Sequence, residues 1–318
     1  MQTLLLVAMG MVAPAFIDPF EVTGTSELKR LLTDQNNVHG IFVQRRASVD
    51  GTQKYTIKLE IAKSYGTQFT ILQPISSQGV ASIDDGKTLR NYFPDKKQIV
   101  VQPSPVIFGA PLNERMKLIQ KNYSVTLSAP TTVAGRPVSV VTMTAKAPQI
   151  PNRRLSIDAK ENALLRYELL EGNTVSLVLV ETLAVDYPST PRRKPFEFSA
   201  AKAVNIVRTW GPKPITDIKF AAAAVGFEPR LTKSLPYGFT VQAQQMVGEA
   251  KDPFVSIRLS DGMSMATVYQ WDPKRYEQGA PAGMKAQFKD RFGIAFQAIG
   301  DAPSMALTEL ARVFSRLR

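Results

Sequence analysis

Lys54-Tyr55-Thr56-Ile57-Lys58-Leu59-Glu60-Ile61-Ala62-Lys63 alternates apolar and polar residues with a period of two. Side chains of a strand point to opposite faces in turn, so Tyr55, Ile57, Leu59 and Ile61 share one face. Thr56, Lys58, Glu60 and Ala62 take the other, and the stretch predicts a half-buried antiparallel strand. Working outward, the spacing predicts further strands at 38–49, 67–73, 79–83, 88–93 and 97–102. Asp50-Gly51 and Asp85-Gly86 supply hairpin turns, because glycine reaches positive φ without a steric penalty. The chain from His39 to Gln102 reads as a β-meander.

Two helices are predicted around these strands. Ser26 is placed to cap the first, whose Leu28, Leu31 and Leu32 fall on one face. After the break at Pro103-Ser104-Pro105, Pro111 suits the first turn of the second, with Leu112, Met116 and Ile119 as its stripe. Strands resume at 123–128, 136–145, 153–158, 163–171 and 174–185. Pro188, Pro191, Pro195, Pro212 and Pro214, with Arg192-Arg193-Lys194 among them, then mark a loosely packed connection with few apolar residues. Thr216 can cap a short alanine-rich helix closed by Gly226. Beyond it, strands are expected at 239–246, 253–259, 264–271, 284–289 and 291–300, with Asp261-Gly262 as a turn. Asp301 is expected to cap a last helix buried through Ala306, Leu310, Val313, Phe314 and Leu317.

Composition sets limits. A chain of 318 residues is long for one domain and about right for two, and 44% hydrophobic with 21% charged residues allows a sizeable core. The formal net charge of +12 is spread over both parts, with no run of like charge longer than Arg192-Arg193-Lys194. Such a surface suits anionic lipid or acidic protein. Without a recognition helix or an aromatic-basic strand motif, the sequence argues against nucleic acid as a partner. The absence of cysteine excludes disulfides, thiolate metal sites, cysteine nucleophiles and a lipid-acylated cysteine. Leu4 to Val12 is apolar and precedes Ala13-Pro14-Ala15, which fits a secretory signal over residues 1–15 cleaved near Phe16; a buried N-terminal strand or a misassigned start codon are the other readings. The run is too short to span a bilayer.

Catalytic and cofactor motifs are missing. His39 is the single histidine, with no GxSxG elbow or HExxH motif to accompany it. No phosphate-cradling glycine loop occurs, so no cofactor and no metal are expected. Asp84-Asp85 with Glu60 offer paired carboxylates, but turn chemistry accounts for the two aspartates. The apolar faces leave core and ligand cavity both open. If a cavity exists, Tyr55, Ile57, Leu59, Phe69, Ile71, Leu177 and Leu179 are its candidate lining, and Val175 lies in the same row.

A family resemblance follows from several segments read in order. Ile83-Asp84-Asp85-Gly86-Lys87-Thr88-Leu89-Arg90-Asn91-Tyr92-Phe93-Pro94-Asp95-Lys96-Lys97-Gln98-Ile99-Val100 resembles the hairpin series of LolA-like domains. Val133-Ala134-Gly135-Arg136-Pro137, Arg153-Arg154-Leu155-Ser156-Ile157-Asp158 and Leu164-Leu165-Arg166-Tyr167-Glu168 resemble their later strands. Ser234-Leu235-Pro236-Tyr237-Gly238-Phe239, Leu259-Ser260-Asp261-Gly262-Met263-Ser264 and Ile299-Gly300-Asp301-Ala302-Pro303 are similar to the C-terminal signature of the MucB/RseB family. The resemblance implies an α+β protein. Its N-terminal domain, residues 16–190, would be a LolA-like half-open antiparallel β-barrel with covering helices. A linker at 191–228 and a smaller α+β domain at 229–318 would follow. It further implies an exported, periplasmic, non-enzymatic regulator or sensor. Such a protein binds lipid or a lipidated ligand and a membrane anti-sigma factor or other envelope protein. The alternative it implies is a carrier of lipid or lipoprotein.

Overall fold

In the computed structural model the period-two segments become strands of two separate sheets. Described are residues 24–33, 37–48, 51–104, 111–190, 194–198, 205–208, 212–249, 252–276, 279–281 and 284–317. The expected signal at 1–15 lies outside them, as do Asp50 and the Arg192-Arg193 pair. No helix among the described residues is long and apolar enough to cross a membrane.

Helix α1 (Gly24–Thr33) opens the described chain and buries Leu28, Leu31 and Leu32. It begins two residues before Ser26, so that serine lies inside the helix rather than capping it. Then come β1 (Val38–Ser48), β2 (Gly51–Ala62), β3 (Gly66–Gln73), β4 (Ala81–Asp84), β5 (Thr88–Phe93) and β6 (Gln98–Pro103). Helix α2 (Leu112–Asn122) is followed at once by β7 (Tyr123–Val133), β8 (Arg136–Ala145), β9 (Asn152–Asp158), β10 (Leu164–Glu171), β11 (Thr174–Asp186) and β12 (Asn205–Arg208).

These twelve strands form one sheet in the order β12-β6-β5-β4-β3-β2-β1-β11-β10-β9-β8-β7. All neighbours are antiparallel except β12, which runs parallel to β6. The sheet's two ends are not paired to each other, so it is a large open sheet and not a closed barrel. The turn between β4 and β5 is built as the aspartates predict. Asp84 Oδ1 accepts from the Gly86 N–H, and Asp85 Oδ1 from the Lys87 and Thr88 N–H groups. Ser104 donates to the other Asp84 oxygen at 3.0 Å, while burial pushes the Asp84 carboxyl above its ordinary pKa.

The second sheet contains β13 (Lys213–Pro214), β14 (Thr240–Glu249), β15 (Asp252–Ser260), β16 (Met265–Trp271), β17 (Phe288–Lys289) and β18 (Ala295–Gly300), ordered β13-β14-β15-β16-β18-β17. Helix α3 (Ile218–Val225) is capped by Asp217, not Thr216, since the Asp217 carboxylate accepts from Lys219 and Phe220 N–H. Helix α4 (Ser304–Ser315) buries Ala306, Leu310 and Phe314 completely. Asp301 does not cap it; its carboxylate takes the Met265 N–H instead. The strand expected to run from 291 starts only at Ala295. Asp290 Oδ1 accepts from both Phe292 and Ile294 N–H and folds 290–294 into a turn.

The chain divides into two units. Among the described residues, one joins 24–104 with 123–208, and the other joins 111–122 with 212–317. Two expectations change as a result. Helix α2, expected to cover the large sheet, belongs to the unit of the second sheet, where Arg115 and Asn122 find carbonyl acceptors and Ile119 lies against Gly262. In the connection expected at 191–228, β12 extends the large sheet, while β13 and the expected alanine-rich helix, α3, belong to the smaller unit. The connection also has an apolar anchor. Phe196 is buried against Ala62 and Ile83, with Tyr65 and Phe198 packed around it. Phe198 also meets the Tyr92 ring at 5.8 Å between centroids.

Candidate functional site

Strand register decides which candidate residues meet. Ile57 faces Phe42 on β1 and Ile71 on β3, and Leu59 faces Phe69. A row of opposed residues, Tyr55–Gln44–Val180–Tyr167–Leu155, continues the same face across β2, β1, β11, β10 and β9. Leu177 opposes Leu169, which shares this face with Tyr167. Tyr55, Ile57, Leu59, Phe69, Ile71 and Leu177 are therefore brought together on one face. Leu179 is not in register with them: it is the extra residue of a β-bulge between the Val178 and Val180 pairings.

Burial divides the group. Ile57, Phe69 and Ile71 are 2%, 4% and 0% exposed and form closed core. Tyr55, Leu59, Leu177 and Leu179 are half-buried. Val175 is more open still, at 36%.

The same face carries a polar cluster that the sequence reading missed. Arg153 is 1% exposed; its Nε donates to the Tyr123 hydroxyl at 3.2 Å and its Nη1 to the Tyr167 hydroxyl. Its guanidinium carbon stands 5.8 Å and 5.7 Å from the two ring centroids, within cation–π range. The signal was the Arg153-Arg154 doublet inside a strand, since alternation must send one of two adjacent side chains to each face.

Arg154 takes the outer face. There Glu168, almost fully buried, accepts from Arg154 Nε at 2.6 Å and Arg166 Nε at 2.8 Å. Glu181 lies 3.9 Å from Arg166 and 3.3 Å from Arg45, so three arginines and two glutamates form a ladder across β9, β10, β11 and β1. Nearby, Asp158 receives Arg136 Nε, the Tyr187 hydroxyl at 3.1 Å, and the Lys160 and Glu161 N–H groups. His39 pairs with Asp186 at 2.9 Å, two exposed side chains directly opposed in the β1–β11 register. That arrangement is a cross-strand pair, with its surroundings open to solvent.

In the smaller unit, two of the three segments singled out as a C-terminal signature become turns, and the third leads from β18 into α4. Pro236–Gly238 is one; Asp261-Gly262, joining β15 to β16, is the other. Both receive α2. Asn122 Nδ2 donates to the Gly238 and Asp261 carbonyls at 3.0 Å and 2.8 Å, and Arg115 Nε to the Gly262 carbonyl at 2.9 Å. Glycine is required at 262, where φ is +99° and a Cβ would stand 2.8 Å from the backbone nitrogen of Ile119.

A large open, mostly antiparallel sheet with a second, smaller sheet unit and four helices among the described residues defines an α+β protein. The family model of the MucB/RseB N-terminal domain matches residues 32–196, half of the chain, and the protein belongs to that family. No curated protein matches it. Among solved structures, a crystal structure of MucB is similar at 17% identity with a TM-score of 0.57, over 91% of this chain and 96% of that one. The MucA/MucB complex of Pseudomonas aeruginosa matches at 17% identity and 0.59 over the same shares. MucB in complex with MucA(peri) matches at 17% and 0.53, over 91% and 94%. At this identity the likeness is one of fold.

Proposed function

We propose that this protein is an extracytoplasmic regulator that works by binding, not catalysis, and that its partner is the periplasmic part of a membrane anti-sigma factor. The observation that carries the reading is the likeness over nine-tenths of the chain to MucB, seen both alone and in complex with MucA. The large open sheet is, in this reading, the half-open barrel of LolA-like domains, with α1 against β7 and β8. Full-length protein immobilised on resin and offered solubilised envelope membranes should retain a single-span signalling protein. Its gene's deletion should raise envelope-stress transcription. Retention of no membrane signalling protein, together with unchanged stress transcription, would sink the proposal.

Lipid is the proposed second ligand, supported by the half-buried Tyr55, Leu59 and Leu177 beside closed core on one face. Native mass spectrometry of the purified full-length protein should show a co-purified acyl lipid. Leu59→Lys should abolish it, because it puts an ammonium among apolar side chains. A lipid-free spectrum of the unaltered protein counts against this ligand and equally against the alternative of a lipid or lipoprotein carrier.

A further inference from the structure

Residues 290–294 close the β17–β18 hairpin of the smaller unit, and their own hydrogen bonds fix its shape. Asp290 Oδ1 accepts from the Phe292 and Ile294 N–H groups, each at 2.9 Å. The Asp290 N–H donates to the Ile294 carbonyl and the Gly293 N–H to that of Asp290, each at 3.0 Å. A Cβ at Gly293 would meet nothing within 4 Å, so this side of the turn faces open space.

Behind the turn lies a buried ion pair. Arg230 Nη2 donates to Asp290 Oδ2 at 3.1 Å, the two side chains being 9% and 3% exposed. Arg230 is itself fixed to β16: its N–H donates to the fully buried Gln270 amide, which donates in turn to the Arg230 carbonyl. Among the described residues, Arg230 Nε is buried without a hydrogen-bond partner. A buried pair is costly to assemble and often no better than apolar packing of the same volume, so stability alone does not account for this support. What it supports is Phe292, 59% exposed at the tip. Its ring centroid stands 5.3 Å from the Arg230 guanidinium carbon and 4.7 Å from that of Arg291.

The charge around the ring is positive. Lys285, Lys289 and Arg291 are exposed. Asp290 is paired with Arg230, and Glu228 is the exposed acid on the segment that carries Arg230. A bare aromatic among exposed cations suits the surface of an anionic bilayer, where the ring enters the headgroup layer and the cations meet phosphates. A peptide partner docks in a groove or by strand pairing. The turn offers neither, since its Phe292, Gly293 and Ile294 N–H groups are already bonded.

We propose that the 289–294 turn is a membrane contact, with Phe292 and Arg291 docking the protein on a surface of anionic phospholipid. The inference goes beyond the regulator reading and requires neither its protein partner nor an acyl ligand in the large sheet.

The test is vesicle flotation with the full-length protein. Vesicles of phosphatidylethanolamine with phosphatidylglycerol should carry it, vesicles of phosphatidylcholine should not, and added salt should weaken the association. Arg291→Glu should lower partitioning about tenfold, because each cation at an anionic surface contributes roughly fivefold. Phe292→Ser should lower it by about tenfold too, and Phe292→Trp should keep it. Phe220→Ser removes a ring that is 64% exposed on α3 and should leave flotation unchanged. Because Phe292 also lies over Arg230, urea midpoints accompany each variant; Arg291→Glu keeps both the ring and the buried pair, and carries the test if Phe292→Ser unfolds. No flotation of the unaltered protein with anionic vesicles overturns the proposal, as does undiminished flotation of Arg291→Glu or an equal loss with Phe220→Ser. If Arg291→Glu instead loses capture on immobilised polyglutamate while floating normally, the turn is a site for acidic protein and the membrane contact is refuted.

Discussion

At Asp158, burial by itself would lift the carboxyl above its ordinary range. Hydrogen bonds from Arg136, from the Glu161 and Lys160 N–H groups and from Tyr187 outweigh it, and the pKa is lowered. Burial, with the same carboxylate beside it, raises the pKa of Tyr187. A folded-state pKa below the unfolded value of about 3.9 means that stabilisation is present above that pH. It is lost as pH falls through the folded value. Asp158→Asn should therefore flatten the acid limb of the stability curve below about pH 4, measured by urea unfolding at stepped pH. At neutral pH, Asp158→Ala should cost about 3 kcal/mol, since it strands the partners of a buried carboxylate. An acid limb identical to that of the unaltered protein would show that this residue does not titrate with folding.

Among elements, the segment around Phe196 is held by two aromatic anchors two residues apart, which an extended chain presents to the same side. Phe196 touches Ala62 and Ile83, and Arg90 Nη2 reaches its carbonyl at 3.5 Å. Register places Ile83 opposite Gln68, and Gln68 opposite Glu60, on the face away from Ile57 and Phe69. The segment thus lies on the outer face of the sheet, opposite the one that carries Ile57, Phe69 and Ile71. Phe196→Ala should lower stability by about 3 kcal/mol, near the low end for a buried phenylalanine, because the segment can detach as the site collapses. It should also open the neighbouring Phe198, packed on the same cluster, to chymotrypsin. An unshifted denaturant midpoint with unchanged cleavage would mean that Phe196 is not an anchor.

For the molecule as a whole, the smaller unit is assembled from two stretches far apart in the chain, 111–122 and 212–317. A fragment covering 212–318 alone lacks Met116, Ile119, Arg115 and Asn122, which leaves the Gly238, Asp261 and Gly262 carbonyls without these donors. Calorimetry of that fragment should show no cooperative transition, or one far below that of the unit in the full chain. Fusing residues 111–122 to it through a flexible linker should restore the transition. A fragment that melts cooperatively at the full-chain temperature without the helix would show that α2 is dispensable to the unit.

Period-two alternation determined most strands, since one face of each is buried and a one-residue slip would reverse it: Ile57, Phe69 and Ile71 could be read as facing inward from the chain alone. Asp85-Gly86 and Asp261-Gly262 determined their turns through local chemistry, and Leu28, Leu31 and Leu32 or Met116 and Ile119 determined which side of each helix is apolar. The segments that carry the MucB/RseB resemblance were likewise legible. Caps were less so: Ser26, Thr216 and Asp301 each have the right side chain, but Asp217 took one role and a neighbouring strand claimed Asp301. Only the tertiary structure decided what each stripe packs on, because periodicity marks a buried face without naming its partner. That is why α2 went to the smaller unit and Phe196 onto the outer face of the sheet. Leu179 left the row for the same kind of reason, a bulge set by pairing with β10, and Arg153 became an interior cation because two tyrosine hydroxyls, distant in sequence, converge on it.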